Sequence, residues 1–163
     1  MPRGEIQAVE VSCFVQATED EGRLRDAIAS SLAIGVGPEE ERLEGHFGNR
    51  ILALSWHLTG EQASTSFRAL FSLLGQGGRR EVLRELEGYL DDHGALYVRL
   101  NKQTLVKGVA TTSQSDPVRI RIKPRTFLMK GQPRQFYERL MEAREGEGEG
   151  RVVTTEEEGG SAT

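Results

Sequence analysis

The sequence has little of what several classes of protein require. Among 163 residues there is one cysteine, Cys13, so no disulfide can form within the chain, and its apolar surroundings predict a buried, inert thiol. No apolar run approaches the ~20 residues of a membrane-spanning helix. The first ten residues, MPRGEIQAVE, carry acidic side chains where a secretory signal needs an apolar segment. We therefore expect a cytoplasmic protein in a reducing compartment.

Motifs of catalytic and metal sites are also scarce. The three histidines, His46, His57 and His93, are far apart in the sequence, and the chain has no CxxC, HExxH, GxSxG or P-loop pattern. The segment DDHG at 91–94 could imitate a catalytic cluster, but after a helix it is typical of a turn. We expect a protein that is not an enzyme and that needs no metal or cofactor.

The charge of the chain is unevenly distributed. The formal net charge is −4, yet residues 99–139 contain ten basic and two acidic residues, which gives this segment a charge of +8. The remainder therefore carries −12, and the glutamate-rich end from Glu145 onward contributes −5 of it. The basic segment indicates a polyanionic partner, whereas the acidic end, poor in apolar residues, predicts a disordered tail over 145–163.

The periodicity of apolar residues predicts an α+β fold. Residues 6–16 alternate as a half-buried strand, and Thr18 with Glu21 has the spacing of a capping box. The further predicted elements are a helix over 19–33, a hairpin of strands 40–45 and 50–58, helices 60–74 and 79–90, a strand 95–100, a short helix 101–107, a strand 118–123 and a helix from Pro133. We expect one domain, residues 1–144, with a largely antiparallel sheet and helices packed on one face.

The strand VRIRIK at 118–123 has the most informative pattern of the chain. Alternation places Arg119, Arg121 and Lys123 on one face, and Arg125 joins them if the strand continues past Pro124. Like charges about 6.6 Å apart repel one another, and a phosphodiester backbone would relieve that repulsion by exchanging its counterions for them. This row is our first candidate for RNA contact. The alternative is a solvated face, or one neutralised by glutamates on neighbouring strands.

The segment LYVRLNKQ at 96–103 is a second candidate. Tyr97 and Arg99 share one face of the strand, and Lys102 and Gln103 follow as donors at its end. A tyrosine beside basic residues can stack on an unpaired base, although tyrosines also pack within sheets without any such role.

The segment EGHFGN at 44–49 is a third candidate. It is typical of a hairpin turn, because glycine and asparagine tolerate the positive φ of a tight connection. His46 would then be exposed only because it lies in a turn. The functional interpretation instead takes His46 and Phe47 as an exposed polar and aromatic pair, with Asn49 and Arg50 beside them as candidate contacts.

Together, EGHFGN, LYVRLNKQ and the basic RIRIK at 119–123 resemble an archaeal RNA-binding family described as predicted exosome subunits. The resemblance covers about residues 6–125, and it implies an α+β fold similar to the large-subunit ribosomal protein number five. Carried over by position, it implies RNA-binding roles for His46 and Asn49 in the turn and for Lys102 and Gln103. The family usually has an aspartate where this chain has Asn101, which weakens any metal or acid-base role there.

Three functions compete at this point. The resemblance and the basic segment favour an RNA-binding accessory protein in RNA processing, associated with the exosome, or in ribosome maturation. The alternative is a protein-interaction module that docks onto a larger assembly through its sheet face and acidic tail. A nuclease would need a carboxylate cluster beside the basic row, for which Asp92 is the residue to test.

Overall fold

A computed structural model describes residues 5–125 and 133–141 of the chain, and in it the sheet is built around the first strand. Every neighbouring pair of strands is antiparallel, and the order across the sheet is β2-β3-β1-β5-β4. The strands are β1 (Ile6–Gln16), β2 (Glu39–Glu44), β3 (Arg50–Thr59), β4 (Leu96–Leu100) and β5 (Val118–Pro124). The helices are α1 (Glu21–Ser31), α2 (Gly60–Arg84), α3 (Lys102–Val106) and α4 (residues 133–141), with a 3₁₀ turn at Leu86–Tyr89.

Among the described residues, one face of the sheet is covered by helices and the other is open. Val11 in β1 is fully buried, as are Ile28 of α1 and Phe71 of α2 in the same core. The alternate side chains of β1 point the other way, and Ser12 and Phe14 are only partly covered. The period of two in the strand therefore separates a helix-packed face from an exposed one. The predicted α+β fold with an antiparallel sheet and helices on one face is confirmed.

The first helix begins later than its sequence pattern suggested. The side chain of Asp20, not that of Thr18, caps it by accepting a hydrogen bond from the Arg23 backbone N–H at 3.1 Å. Glu19 is engaged elsewhere, accepting from the Gln16 backbone N–H at 2.9 Å. The predicted capping box at Thr18 is therefore wrong, since an equally good capping residue two positions later satisfies the exposed amides.

The second helix is interrupted at Gly75, between the predicted helices 60–74 and 79–90, whereas Gly77 and Gly78, which the sequence also favoured as helix breakers, are helical. Gly75 has φ of 68°, which breaks the helical hydrogen-bond ladder. The buried guanidinium of Arg79, which follows the kink, donates to the carbonyl oxygen of Phe71, which precedes it, at 2.9 Å and so links the two helical segments. The helical segment after the kink ends at Arg84, so the predicted helix over 79–90 is in part a 3₁₀ turn.

Two turns and the last helix complete the described structure. The predicted turn at 91–94 is present, and the Asp91 carboxylate accepts from the backbone N–H groups of His93 and Ala95, both at 2.9 Å. Helix α4 packs beside it, and its buried Tyr137 hydroxyl donates to the Gly94 carbonyl at 2.8 Å. The tail predicted to be disordered, residues 145–163, lies outside the described residues. Within the described part of the chain, no helix has the length and apolar character needed to cross a membrane.

Candidate nucleic-acid interface

The open face brings five of the predicted residues together on the two strands at one side of the sheet. Opposite residues of antiparallel strands point to the same face. Across β1, β5 and β4, Ser12 lies opposite Arg119, which lies opposite Arg99. The next row contains Glu10, Arg121 and Tyr97, and Lys123 lies opposite Ala8 one step further. We call the side chains on β4 and β5 the basic half of the open face: Tyr97, Arg99, Arg119, Arg121 and Lys123.

The cations of the basic half are not equivalent. Arg121 forms ion pairs with Glu10 at 3.4 Å and with Asp91 at 3.3 Å. Burial lowers the pKa of Arg121, but the hydrogen bond to Asp91 and the charge of Glu10 outweigh it, so the net shift is upward. Across residues 5–125 and 133–141, Arg99, Arg119 and Lys123 form no ion pair. Neutralisation by neighbouring acids, which the sequence left open, therefore applies to Arg121 and, within the described residues, not to Arg99, Arg119 or Lys123.

Two aromatic rings lie among these cations. The Arg99 and Arg121 guanidinium carbons are 5.8 and 5.7 Å from the centre of the Tyr97 ring. The Arg119 guanidinium carbon is 5.8 Å from the centre of the Phe14 ring, which is 38% exposed. Sequence reasoning missed Phe14. Its signal was present, because an aromatic residue stood on the otherwise polar face of an alternating strand.

The hairpin between β2 and β3 lies away from the basic half. His46 and Asn49 are exposed at its tip, beside the edge strand farthest from β4, so β3 and β1 separate them from the basic residues. Phe47 there is 91% exposed, with its ring edge-on to His46 at 4.9 Å. The Asn49 amide packs where a side chain on Gly45 would have to lie, which gives this residue a role in the turn.

Arg50 is on the other side of the hairpin. It lies opposite Glu44 and two positions from the buried Leu52, so it points toward the face that the helices cover. The candidate contacts His46, Asn49 and Arg50 thus do not form one surface with the basic half.

Lys102 is buried rather than presented to a ligand. Its side chain is 6% exposed, and its ammonium group donates to the Phe14 carbonyl, to Glu19 at 3.0 Å and to Asp116 at 2.8 Å. Burial lowers the pKa of Lys102, but the hydrogen bonds to Asp116 and Glu19 raise it further, so the ammonium stays charged. The expectation that Lys102 contacts RNA conflicts with this position. Its N–H donors are already engaged by a backbone carbonyl of β1 and by two carboxylates.

The remaining predicted residues lie outside the basic half of the open face. Gln103 is exposed on α3, beside a cleft between α1 and α3, and is therefore on the helix side of the sheet. Asn101 caps α3 by accepting from the Thr104 backbone N–H at 3.0 Å, a role that an aspartate would fill equally well. Arg125 is exposed directly after β5, and its backbone N–H donates to the Glu5 carbonyl at 2.9 Å. Of these, Arg125 alone follows directly from the basic strand.

The opposite side of the open face is acidic. Glu39 and Glu41 of β2 lie opposite Ser55 and Ala53 of β3, so both glutamates point to the open face and both are exposed. We call Glu39 and Glu41 the acidic half of this face. Between the two halves, His57 Nδ1 lies 3.4 Å from a carboxylate oxygen of Glu10. The charge therefore changes sign across the sheet.

Chemistry of other kinds has little support in the described structure. Burial raises the pKa of the Cys13 thiol to about 11, which keeps it protonated and unreactive at neutral pH. Among the described residues, no three or more His, Cys, Asp or Glu side chains are grouped so as to hold a metal ion.

Several known proteins are similar to this chain. A Pyrococcus abyssi protein named as an RNA-binding protein is 28% identical over 136 residues, which span 78% of this chain and 88% of the relative. A solved structure from Archaeoglobus fulgidus, assigned to the family DUF54, has 25% identity and a TM-score of 0.71, covering 83% of this chain and 99% of its own. A DUF54 protein from Methanothermobacter thermautotrophicus shares the fold, with 24% identity, a TM-score of 0.66, and coverage of 85% of this chain and 97% of its own.

A family described as RNA binding matches residues 8–124, which include all five strands except the first two residues of β1. The match covers more than half of the chain, and the named relative and the solved structures come from archaea. The resemblance found in the sequence motifs is therefore confirmed, and the chain belongs to this archaeal RNA-binding family.

Proposed function

We propose that the protein binds RNA across β1, β5 and β4 on the open face, with Arg99, Arg119 and Lys123 contacting phosphates. The observation that carries this proposal is the set of three cations on one face without an ion pair among the described residues. Family membership supports RNA as the ligand.

The physical reason is that these charges repel one another in the unbound protein. Arg99 and Arg119 lie on adjacent strands, directly opposite each other, so their backbones are about 5 Å apart. Opposed like charges destabilise a sheet, and no acid in the described structure forms an ion pair with either of these two. A phosphate chain would turn the repulsion into attraction and release its own counterions, which makes the affinity salt-dependent.

Salt-dependent binding of a fluorescent RNA tests the proposal. Replacing Arg99, Arg119 and Lys123 by glutamine should weaken binding and reduce the slope of log affinity against log salt by about 0.7 for each phosphate that is no longer neutralised. The matched control replaces three exposed arginines of α2, Arg68, Arg80 and Arg84, by glutamine. Equal losses of affinity for the two sets, or binding that is insensitive to salt, would rule the proposed surface out.

In the cell we propose a non-catalytic, cytoplasmic accessory role in RNA processing associated with the exosome, or in ribosome maturation. Among the described residues, Glu10 and Asp91 are the acids that form ion pairs with cations of the basic half, and no three or more His, Cys, Asp or Glu side chains are grouped to hold a metal ion, which is consistent with holding RNA rather than cleaving it. Crosslinking in cells followed by RNA sequencing tests the role. Enrichment of ribosomal precursors or of exosome substrates is expected, and RNA recovered in proportion to its abundance would contradict it.

A protein-interaction module using the open face and the acidic tail is the second candidate, and the negative charge of residues 145–163 beside a basic segment favours it. Deleting residues 146–163 separates the two uses of the tail. Tighter RNA binding would show that the tail competes for the basic half, whereas unchanged RNA binding with loss of a partner would show tethering.

A further inference from the structure

We infer that the open face takes unpaired RNA, with Phe14 and Tyr97 as two separate positions on which bases stack. This inference rests on the proposed RNA-binding surface and names the form of RNA that it accepts. Unpaired bases expose their faces to aromatic side chains, and stacking of this kind tolerates any base.

The rings of Phe14 and Tyr97 are suited to stacking because both are at least partly exposed and both lie beside arginines. Phe14 is 38% exposed and Tyr97 is partly exposed, although both are in strands whose alternate residues are buried. Each ring has a guanidinium within 6 Å of its centre, so cations surround both stacking positions. A nucleotide that stacked on either ring would have its phosphate within reach of an arginine.

Both positions are held in place from below or beside. The buried Lys102 ammonium donates to the backbone carbonyl of Phe14, and Glu19 and Asp116 hold that ammonium. Arg121, next to Tyr97, is fixed by its ion pairs to Glu10 and Asp91. A fixed platform loses little conformational entropy when a ligand binds.

Unlike Arg121, Arg119 has no ion pair among the described residues, and its guanidinium lies over the Phe14 ring. It can move aside and admit a base at the cost of one side-chain rearrangement. The same movement would bring its guanidinium to the phosphate of the stacked nucleotide.

The distance between the rings excludes neighbouring bases of a continuous stack. Tyr97 is in the row of Glu10, four residues along β1 from Phe14, and it is two strands away from β1. With about 3.4 Å per residue and 4.8 Å per strand, the two backbones are roughly 16 Å apart. Stacked bases rise only about 3.4 Å each, so nucleotides touching both rings must be splayed apart. Arg119 lies between the rings, one row from each.

A duplex does not fit this arrangement. In an A-form helix the base faces are covered by their neighbours, and side chains reach only the backbone and the shallow minor groove. A duplex could contact the cations but neither ring. The surface therefore distinguishes paired from unpaired RNA through Phe14 and Tyr97, while the cations serve both.

The test compares a single-stranded RNA of about 12 nucleotides, within the range that single domains cover, with a duplex of the same sequence. Anisotropy is measured on the full-length chain and on the variants Phe14→Leu and Tyr97→Leu. Each variant should lose about tenfold in affinity for the single strand and little for the duplex, since stacking contributes only to the former. The matched control is Phe47→Leu, which removes a 91% exposed ring at the hairpin tip and should change neither affinity.

Variants that keep the ring guard against a loss of folding. Phe14→Tyr and Tyr97→Phe should bind the single strand nearly as the unaltered chain does. If duplex and single strand bind equally and the leucine variants match Phe47→Leu, the inference is overturned and the phosphate surface still stands. If the unaltered chain binds neither RNA, the proposed function itself fails.

Discussion

The two halves of the open face share a sheet but have opposite charge. The basic half on β4 and β5 presents Arg99, Arg119 and Lys123 without ion pairs in the described structure, whereas the acidic half presents Glu39 and Glu41 from β2. Both halves belong to one antiparallel sheet, so the charge of their side chains decides which half can hold a polyanion. RNA bound along the basic half should therefore end near β1.

The acidic half also has a structural use. β2 is an edge strand whose residues are all exposed, and its outer backbone groups face solvent. Such an edge invites pairing with another strand, and charged side chains discourage it. The negative charge that turns RNA away from β2 can therefore also keep two copies of the chain from joining there.

Reversing the charge of the basic half should have the largest effect. Arg99→Glu with Arg119→Glu removes two phosphate contacts and adds two repulsive charges, and we expect roughly hundredfold weaker RNA binding at low salt. Anisotropy at several salt concentrations measures it. The same reversal at Arg68 and Arg80 on α2 serves as the control, and an equal weakening there would mean that overall charge, not the open face, governs binding.

Removing Lys102 should lower the stability of the protein, because its ammonium group links the backbone at Phe14 to two carboxylates. Lys102→Met deprives the Phe14 carbonyl and two carboxylates of their donor, and we expect the free energy of unfolding to fall by about 2 kcal/mol. Urea denaturation measures this change. Lys107→Met, on the exposed end of α3, is the control.

The pH dependence gives a second check on Lys102. Its folded pKa is raised above the ordinary lysine value, so its contribution to stability is complete at neutral pH. The contribution should be lost only in alkaline solution, as pH rises through that raised pKa. A difference between the unaltered chain and Lys102→Met that shrank between pH 5 and 8 would contradict this assignment.

Converting the acidic half should extend the RNA track. Glu39→Lys with Glu41→Lys adds two cations in line with the sheet, and we expect about fivefold tighter binding with a slope steeper by about 0.7 for each additional phosphate neutralised. Titration with RNA of increasing length would show whether longer strands bind more tightly still. Unchanged affinity at every length would mean that the bound RNA ends before it reaches β3.

The smallest expected effect is a difference in RNA affinity between variants of two arginines in β5. Arg119→Gln should weaken RNA binding by about fivefold, and Arg121→Gln by only about twofold, because Glu10 and Asp91 already neutralise Arg121. Parallel salt titrations of the two variants measure the difference. Equal weakening would show that RNA displaces the two acids, and the ion pairs would then not define the track.

Local patterns in the sequence were sufficient to predict the order and the kind of the elements. Alternation in β1 and β5 identified which side chains share a face of their own strand, and glycine with asparagine or aspartate marked the turns at 45–49 and 91–94. These signals are local, since they depend on neighbours a few residues away. Tyr97 and Arg99 in β4, and separately Arg119, Arg121 and Lys123 in β5, could therefore be assigned to one face of their own strand without knowledge of the sheet.

Which of these faces meet, and which charges remain exposed, depends on long-range contacts in the folded chain. β1 pairs with β5 across more than 100 residues of chain, which brings Phe14 beside Arg119 and Glu10 beside Arg121. Lys102 looked like an exposed donor at a strand end, but long-range contacts to Phe14 and Glu19 bury it. Such pairings depend on how the whole core packs, and the local spacing of residues does not predict them.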